Sequence, residues 1–408
     1  MGNISYFCIV KRFKYKIRAI LLIIFLLLTD NISAQNSDSL LHQMDSVQIS
    51  LLTCQPGKEV YSLYGHTAIR YQDKTHNIDI VVNYGLFSFG KPYFILRFIF
   101  GLTDYEMGIE PFPDFCSEYA SEDRGVIQQT LNLTSQEKLN IANAINENYK
   151  PENRVYRYNY FYDNCTTRAR DILVKNMNGN IKYVSDDNGA STYRDLIHQW
   201  NENHLWARFG NDMLLGVKAD MTINGDQKQF LPDNLRKAFD DALIINKNGV
   251  KEKLVSNTQI IVQQSVQSAS EITLLRPMTC SIFLLIITIF ITIFEFYKKY
   301  RLWGFDLFLM LVDGLAGVIL TAMIFSQHPT VSLNLQLLLL NPLPLFFAVP
   351  VIKCIKKGVA HRYCILATIL IIMFFVGNFF QEYAEGMNIV ALSLLIRCLS
   401  LKVNYRNK

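Results

Sequence analysis

Two residues far apart in the sequence have the types needed for thiol chemistry. Cys165 lies in the run YDNCTTR, and His66 lies in the run YGHTAIR. Asp163 or Asn164 can cap a helix that begins at Cys165, and the first turn of a helix lowers the pKa of a thiol. An imidazole can take the thiol proton and later return it to a leaving group. The pair therefore predicts a cysteine nucleophile with a histidine base, the arrangement used in covalent acyl transfer.

A third polar side chain usually fixes the ring of such a histidine. Asn83, on a strand predicted to pair with that of His66, is the first candidate, and His76, in the turn between them, is the second. A cysteine at a helix start and an isolated histidine also occur in purely structural roles. The motif is therefore a hypothesis that the fold has to test.

Guanidinium groups are concentrated around these motifs, at Arg70, Arg168, Arg170 and Arg194. Such groups bind phosphate or carboxylate through two parallel hydrogen bonds, so they are candidate ligands for an anionic substrate. They can also form ion pairs with nearby aspartates, at Asp163, Asp171 and Asp195. We expect ion pairs for Arg170 and Arg194. Arg70 and Arg168, with Tyr84, are the predicted substrate-binding residues.

Hydrophobic periodicity predicts the elements that must hold the pair. Alternation predicts a hairpin of strands at 66–71 and 78–84, and further strands at 47–52, 104–110 and 126–131. Helical spacing predicts helices at 135–149, 164–177, 192–200 and 233–243, the first with Ser135 as its N-cap. The aromatic stretch Tyr93–Leu102 is either a buried helix or a segment that contacts membrane or acyl chains. These elements indicate an α+β domain.

Composition divides the chain into a soluble part and a mostly apolar part. Only 18% of all residues are charged, and the apolar part covers residues 279–401. Five stretches are predicted to span a membrane, at 279–296, 305–325, 335–352, 363–380 and 389–401. Basic residues follow the first, third and fifth, whereas the loops 326–334 and 381–388 contain none. The positive-inside rule then places the soluble domain outside the cytoplasm, which indicates a bacterial periplasm. These flanking residues explain much of the net charge of +5, so no nucleic-acid partner is expected.

The N-terminus is typical of a secretory signal. A basic segment at 11–18, an apolar segment at 19–28 and the small residues up to Ala34 predict a signal peptide over residues 1–34. The exported domain then contains three cysteines in an oxidising compartment, and Cys54 and Cys116 can form a disulfide if Cys165 is the nucleophile. The histidines lack ligand spacing and no phosphate-binding glycine loop is present, so neither a metal nor a cofactor is predicted.

Longer runs around these residues resemble a known family. The segments YGHTAIR (64–70), NYGLF (83–87), YKPENR (149–154) and YNYFYDNCTTRARD (158–171) are similar to those of Lnb-type lipoprotein N-acyltransferases. Members have an N-terminal periplasmic domain and a C-terminal transmembrane domain. The resemblance implies that His66 and Cys165 are the catalytic pair of a circularly permuted papain-like fold. One departure is Ala169, where many relatives have Pro, and it does not touch the chemistry.

The resemblance implies an enzyme that moves an acyl chain from a phospholipid, through a thioester on Cys165, to the α-amino group of a lipoprotein. The predicted organisation is a signal peptide (1–34), a periplasmic catalytic domain (35–245), a linker (246–277), a transmembrane bundle of about five helices (278–402) and a cytoplasmic tail (403–408). A multi-pass protein of the bacterial inner membrane is expected. Two alternatives stay open: a papain-like hydrolase of cell-wall peptides or lipids, and a non-catalytic membrane-anchored receptor or scaffold.

Overall fold

A computed structural model describes residues 37–86, 92–93, 97, 100–184, 191–245, 249–264 and 275–401. The predicted signal peptide, the predicted cytoplasmic tail and half of the aromatic segment at 93–102 lie outside these residues. The chain forms two compact units. The sheet unit comprises residues 1–88, 104–187 and 225–267, and the helical unit comprises residues 89–103, 188–224 and 268–408.

The sheet unit is built around one large antiparallel sheet. Its strands are β1 (Val47–Cys54), β2 (His66–Asp73), β3 (Ile78–Leu86), β4 (Asp104–Pro111), β5 (Val126–Leu131), β6 (Val155–Arg157) and β12 (Val255–Val262), in the order β12-β5-β1-β2-β3-β4-β6. A small sheet joins β7 (Asn180–Lys182), β10 (Leu243–Ile245) and β11 (Lys251–Lys253). The helices are α1 (Ser37–Met44), α2 (Phe112–Ser121), α3 (Ser135–Tyr149), α4 (Cys165–Lys175), α7 (Gly225–Lys228) and α8 (Pro232–Asp241). The unit thus mixes sheets and helices, whereas the permuted papain-like arrangement stays a prediction.

The large sheet is covered on both faces, and the alternation of side chains along β2 separates two cores. Ile69 faces the larger core, built with α3, α4 and α8, whereas Ala68 faces a smaller core under α2. His66 lies opposite Cys54 of β1, and Ala68 lies opposite Asn83 of β3. The register therefore places His66 and Asn83 on the face of the sheet that α2 covers. They lie diagonal to each other on the neighbouring strands β2 and β3.

Most elements of this unit lie where periodicity predicts them, including the β2–β3 hairpin and α3. The N-cap predicted for α3 is wrong by one residue. Thr134, not Ser135, accepts the N–H of Glu137 and donates its own N–H to that carboxylate. Helix α2, which directly follows the end of β4, was not predicted. The stretch at 246–277, predicted as a linker or extension with a strand-like patch at 259–263, supplies the edge strand β12.

The helical unit contains apolar helices that follow one another along the chain. They are α9 (Pro277–Lys298), α10 (Trp303–Ile324), α11 (Leu343–Lys356), α12 (Tyr363–Gly377) and α13 (Met387–Ser400). Within the described ranges, three stretches are long and apolar enough to cross a membrane: Pro277–Lys298, Trp303–Ile324 and Leu335–Lys356. The last two helices are shorter, so the count of five spans stays a prediction.

A buried network of charged groups joins three of these apolar helices. Arg397 of α13 donates to Asp306 of α10 at 2.8 Å and to Glu295 of α9 at 3.1 Å, and Arg301 donates to Glu295 at 3.0 Å. All four side chains are buried. A charge among apolar helices is costly unless a partner neutralises it. The network explains how the predicted fifth span accommodates an arginine.

Residues 191–224 belong to the helical unit, although the sequence predicts them within the catalytic domain. They form β8 (Ser191–Thr192), α5 (Tyr193–Asn201), α6 (Leu205–Leu214) and β9 (Thr222–Ile223). Arg194 is fully buried and donates to Asp212 at 2.7 Å and to Asp220 at 2.6 Å. Gln336, before α11, donates to the backbone oxygen of Asp212 at 2.8 Å. Buried polar bonds therefore tie this segment to the connections between the apolar helices.

Substitution of Arg194 tests that network. We expect Arg194→Met to lower the free energy of unfolding by about 3–5 kcal/mol, because Asp212 and Asp220 lose their shared buried counter-charge. Arg170→Met is the control, because Arg170 is partly exposed and pairs with Asp171 beside it, a contact worth about 0–1 kcal/mol. Thermal unfolding of the full chain in detergent measures both. Equal losses for the two variants would contradict a structural role specific to Arg194.

Candidate active site

Helix α4 begins at Cys165, and a complete cap fixes its first turn. Asn164 Oδ1 accepts the N–H groups of Thr166 and Thr167, both at 2.9 Å, and Thr167 Oγ1 accepts the N–H of Asn164 at 2.9 Å. The backbone oxygen of Asn164 takes the N–H of Arg168. The cap thus provides acceptors for the first-turn amides after Cys165 but not for the N–H of Cys165 itself. Cys165 is the first residue of the helix, so its N–H has no acceptor within the helix, and an N–H of this kind can bind an oxyanion.

The start of α4 is fixed to the rest of the sheet unit by buried polar contacts. Asn164 Nδ2 donates to the backbone oxygens of Tyr160 at 2.7 Å and of Phe230 at 2.9 Å. The hydroxyl of Thr166 bonds to that of Thr67 in β2 at 3.0 Å, and both residues are fully buried. These contacts connect the first turn of the helix directly to the strand that carries His66.

The structure brings the three predicted catalytic residues together. His66 Nε2 lies 2.7 Å from Asn83 Oδ1, and the imidazole lies close enough to the Cys165 thiol for each to shift the pKa of the other. An amide oxygen can only accept, so Nε2 carries a proton in this contact and Nδ1 is left to take the thiol proton. His76, the second candidate for orienting the ring, instead bonds to Asp73 at 2.6 Å at the hairpin turn, the other end of β2.

Electrostatics at the site favour a charged pair. Burial raises the pKa of the Cys165 thiol, but the imidazole of His66, the N–H of Thr67 and the hydroxyl of Thr166 outweigh it and lower that pKa to about 7. Burial lowers the pKa of His66, while the thiolate of Cys165 and the hydrogen bond to Asn83 reverse this and raise it. Each charge is disfavoured alone and stabilised by the other, as in activated thiols.

Gly85 lies between the two side chains, at an irregularity of β3. The β3–β4 register shifts between Tyr84 and Leu86, and Gly85 has φ +114°. A Cβ there would lie 3.4 Å from His66 Cε1 and 3.6 Å from the Cβ of Cys165. Sequence reasoning missed this residue, although a glycine inside a strand often marks a bulge or a close approach.

Aromatic rings lie on one side of Cys165. Tyr105 stacks on Tyr158 at 4.0 Å, and both pack with Cys165 against the larger core. Tyr160 contacts Tyr64 and Phe230 at centroid distances of 5.2 and 5.7 Å. Burial, with the nearby Cys165 thiolate as a further cause, raises the pKa of Tyr158 well above its usual value. Cys165 itself is partly exposed. Apolar neighbours on one side strengthen the interaction between thiolate and imidazolium.

The residues predicted to bind substrate are already engaged within the protein. Arg70 forms a bidentate pair with Asp79 at 2.8 and 2.6 Å and stacks on Phe112. Arg168 forms a bidentate pair with Asp163 at 2.6 and 2.8 Å. Tyr84 is 1% exposed in the larger core. Their part in substrate binding stays a prediction.

The ion pairs expected for the other two arginines are found in part. Arg170 pairs with Asp171, as expected. Arg194 pairs with Asp212 and Asp220 rather than with Asp195, whose carboxylate caps α5 by accepting the N–H of Thr192.

The other cysteines of the sheet unit differ from Cys165. Cys54 and Cys116 are free, so the predicted disulfide is not formed in this structure. Both belong to the small core under α2, where burial raises the pKa of Cys54 to about 12. Cys54 is therefore an unreactive thiol beside a reactive one. Across the described part of the chain, no group of three or more potential ligands is arranged to hold a metal ion.

Comparisons with known proteins match the chain in two places. The family model described as the Lnb N-terminal periplasmic domain matches residues 40–199, which include His66, Asn83 and Cys165. The model described as the Lnb transmembrane domain matches residues 268–408. No curated protein and no solved structure matches the chain. The two matches together cover most of the chain, in the order of the two domains.

Alkylation of Cys165 by iodoacetamide tests the charged pair directly. Only the thiolate reacts, so the rate in the wild-type chain should rise with pH through about 7 and then level off. In His66→Ala the midpoint should move to higher pH, because burial continues to disfavour the thiolate while its counter-charge is gone. Mass spectrometry of the Cys165 peptide measures the rate. An unchanged midpoint in His66→Ala would show that the imidazole does not activate the thiol.

Gly85→Ala tests the bulge between the two side chains. We expect about 1–3 kcal/mol of backbone strain at φ +114°, and slower alkylation of Cys165 because the added methyl group contacts the His66 ring. Gly249→Ala is the matched control, since Gly249 has φ +77° but nothing within 4 Å of an added Cβ. Both variants should lose stability, and only Gly85→Ala should lose thiol reactivity. Equal reactivity in the two would contradict the role of Gly85.

Proposed function

The chain belongs to the Lnb family, and on that basis we propose that it is a thiol-dependent lipoprotein N-acyltransferase of the bacterial inner membrane. The observation that carries the proposal is the juxtaposition of Cys165, at the first turn of a helix, with His66, whose ring is hydrogen-bonded to Asn83 at 2.7 Å. It supplies a nucleophile, a base and an orienting amide without a metal or cofactor. The acyl donor, a phospholipid, and the acceptor, a lipoprotein, are inferred from membership of the family.

The first half-reaction transfers the acyl chain to the enzyme. The thiolate of Cys165 attacks the ester carbonyl carbon of a phospholipid, and the N–H of Cys165 binds the oxyanion. The intermediate collapses with loss of the glycerol oxygen, which takes the proton from His66 Nδ1. The products are a lysophospholipid and a thioester on Cys165.

The second half-reaction transfers the chain to the acceptor. The α-amino nitrogen of a diacylated lipoprotein cysteine attacks the thioester carbonyl while His66, now neutral, takes the amine proton. The carbon–sulfur bond breaks, the amide forms, and Cys165 leaves as a thiolate beside a protonated His66. The enzyme thus returns to its starting charge state.

Of the two arginines predicted to bind substrate, Arg168 is the better candidate to bind a lipid phosphate. It lies three residues after Cys165 and stacks on Tyr156 at 3.6 Å, and its Nη1 is outside the bidentate pair with Asp163. Arg70 is stacked on Phe112 and bonded to Asp79 and Gln128. We assign Arg70 the role of joining β2 to its neighbouring strands. We assign Tyr84 a packing role in the larger core.

The alternatives make different demands on the same residues. A hydrolase would use the same pair, but it requires water to reach the thioester, and the aromatic side chains on one side of Cys165 oppose this. A non-catalytic scaffold has no need of a thiol whose pKa is lowered to about 7. Both features favour a transferase.

The number of acyl chains on lipoprotein N-termini in cells tests the proposed activity. In cells whose own copy is deleted, Cys165→Ala should abolish N-acylation, and Asn83→Ala should slow it by about ten- to hundredfold because the imidazole loses its orienting bond. Cys116→Ala is the control, since Cys116 lies in the small core under α2 and should leave acylation intact. Mass spectrometry of lipoprotein N-terminal peptides measures the acyl count. Normal triacylated termini with Cys165→Ala as the only copy would rule out the proposed activity.

A further inference from the structure

A carboxylate lies behind the orienting amide of the site. Asn83 Nδ2 donates to Glu110 Oε1 of β4 at 3.4 Å, while Asn83 Oδ1 faces His66 Nε2 at 2.7 Å. The amide is therefore held from both ends, by a ring on one side and a carboxylate on the other. No motif in the sequence indicates this contact, since Glu110 is separated from Asn83 by 27 residues.

Sheet geometry makes the contact a consequence of register. Asn83 pairs with Gly108, and Val81 pairs with Glu110, so Glu110 projects from the same face of the sheet as Asn83, one diagonal step away. Gly108 carries no side chain, and the side chain of Leu86 packs over its Cα. Pro111, the next residue, has φ −61° fixed by its ring and leads into α2. The backbone of Glu110 is thus held by its pairing with Val81 across the sheet and by Pro111 next to it in the chain.

The orientation of the amide decides which nitrogen of His66 carries a proton. A carboxylate only accepts hydrogen bonds, so it holds the NH₂ group of Asn83 and turns the amide oxygen toward Nε2. That oxygen requires a proton on Nε2 and leaves Nδ1 free for the thiol proton. In the flipped amide, NH₂ would face Nε2 and favour a proton on Nδ1, the tautomer that cannot accept from Cys165.

We propose that Glu110 is a positioning residue of this site, which holds the Asn83 amide in the orientation that selects the productive tautomer of His66. The inference rests on the proposed roles of Cys165, His66 and Asn83. The negative charge of Glu110 also supports the proposed role, because it favours the positively charged form of His66 on the other side of the Asn83 amide. Glu110 itself touches neither substrate nor sulfur.

The test measures alkylation of Cys165 in the full chain in detergent, which needs no lipid substrate. Iodoacetamide is used across a range of pH, and the Cys165 peptide is quantified by mass spectrometry. Glu110→Ala removes both acceptor and charge, so its midpoint should rise and its rate near neutral pH should fall about tenfold, the equivalent of one pKa unit. Glu110→Gln keeps an oxygen for Asn83 Nδ2, so its loss should be smaller.

Glu106→Gln is the matched control. Glu106 lies on the same strand, pairs with Arg154 at 2.9 Å and is 44% exposed, so its substitution should leave the Cys165 profile unchanged. Thermal unfolding identifies any variant that fails to fold, and Glu110→Gln then carries the test. The proposal is overturned if Asn83→Ala shifts the profile while folded Glu110 variants do not. A wild-type profile like that of an ordinary cysteine would instead overturn the proposed nucleophile.

Discussion

The contact between the Cys165 thiol and the His66 imidazole depends on a balance between burial and charge. Burial disfavours a thiolate and an imidazolium taken singly, yet together they are stabilised, and the pKa of Cys165 falls to about 7. Such a balance is steep in distance, because Coulomb energy in a low dielectric changes by several kcal/mol within a few ångströms. The neighbouring parts of the sheet unit keep the separation between the Cys165 thiol and the His66 imidazole constant. The cap at Asn164, the Thr67–Thr166 hydrogen bond and Gly85 each fix one side of it.

Both units contain buried charges whose partners lie in the same unit. In the helical unit, Arg194 is balanced by Asp212 and Asp220, and Arg397 is balanced by Asp306 and Glu295. In the sheet unit, the reactive pair is balanced internally. Buried ion pairs add little net stability compared with apolar packing, but they strongly penalise any arrangement that separates the partners. We infer that these networks specify which segments belong together, and they assign residues 191–224 to the helical unit.

Local signals in the sequence predict the parts of the fold that depend on neighbouring residues. The cap of α4 and the β2–β3 hairpin follow from side chains within a few positions of one another. Asn83 could be named because strand pairing across a short turn fixes which residue is diagonal to His66. The partners of Arg194 could not be named, since Asp212 and Asp220 are 18 and 26 residues away and are brought close only by tertiary packing.

The same limit applies to the site. Gly85 directly follows the strand predicted at 78–84, and both its place inside β3 and its place between two distant side chains follow only from the fold. Helix α2 begins at Phe112, directly after Pro111 at the end of β4, and its buried residues Phe115 and Tyr119 are too few to give a strong helical period. Its importance lies in covering the face of the sheet that holds His66 and Asn83. Periodicity detects long amphipathic elements and is weak for short ones.

In the proposed mechanism, the Cys165–His66 pair does not choose between transfer and hydrolysis. A thioester on Cys165 would react with any nucleophile that reaches it, and His66 could deprotonate water as well as an amine. Two properties outside the pair would therefore set the outcome. Tyr105 and Tyr158 pack with Cys165 against the larger core and cover part of the space from which water could approach. Attachment to a membrane raises the effective concentration of lipid-linked acceptors, which gains orders of magnitude without any new contact. A reactive thiol in the same fold but without the apolar helices would lose the second advantage, and its thioester would be left to water.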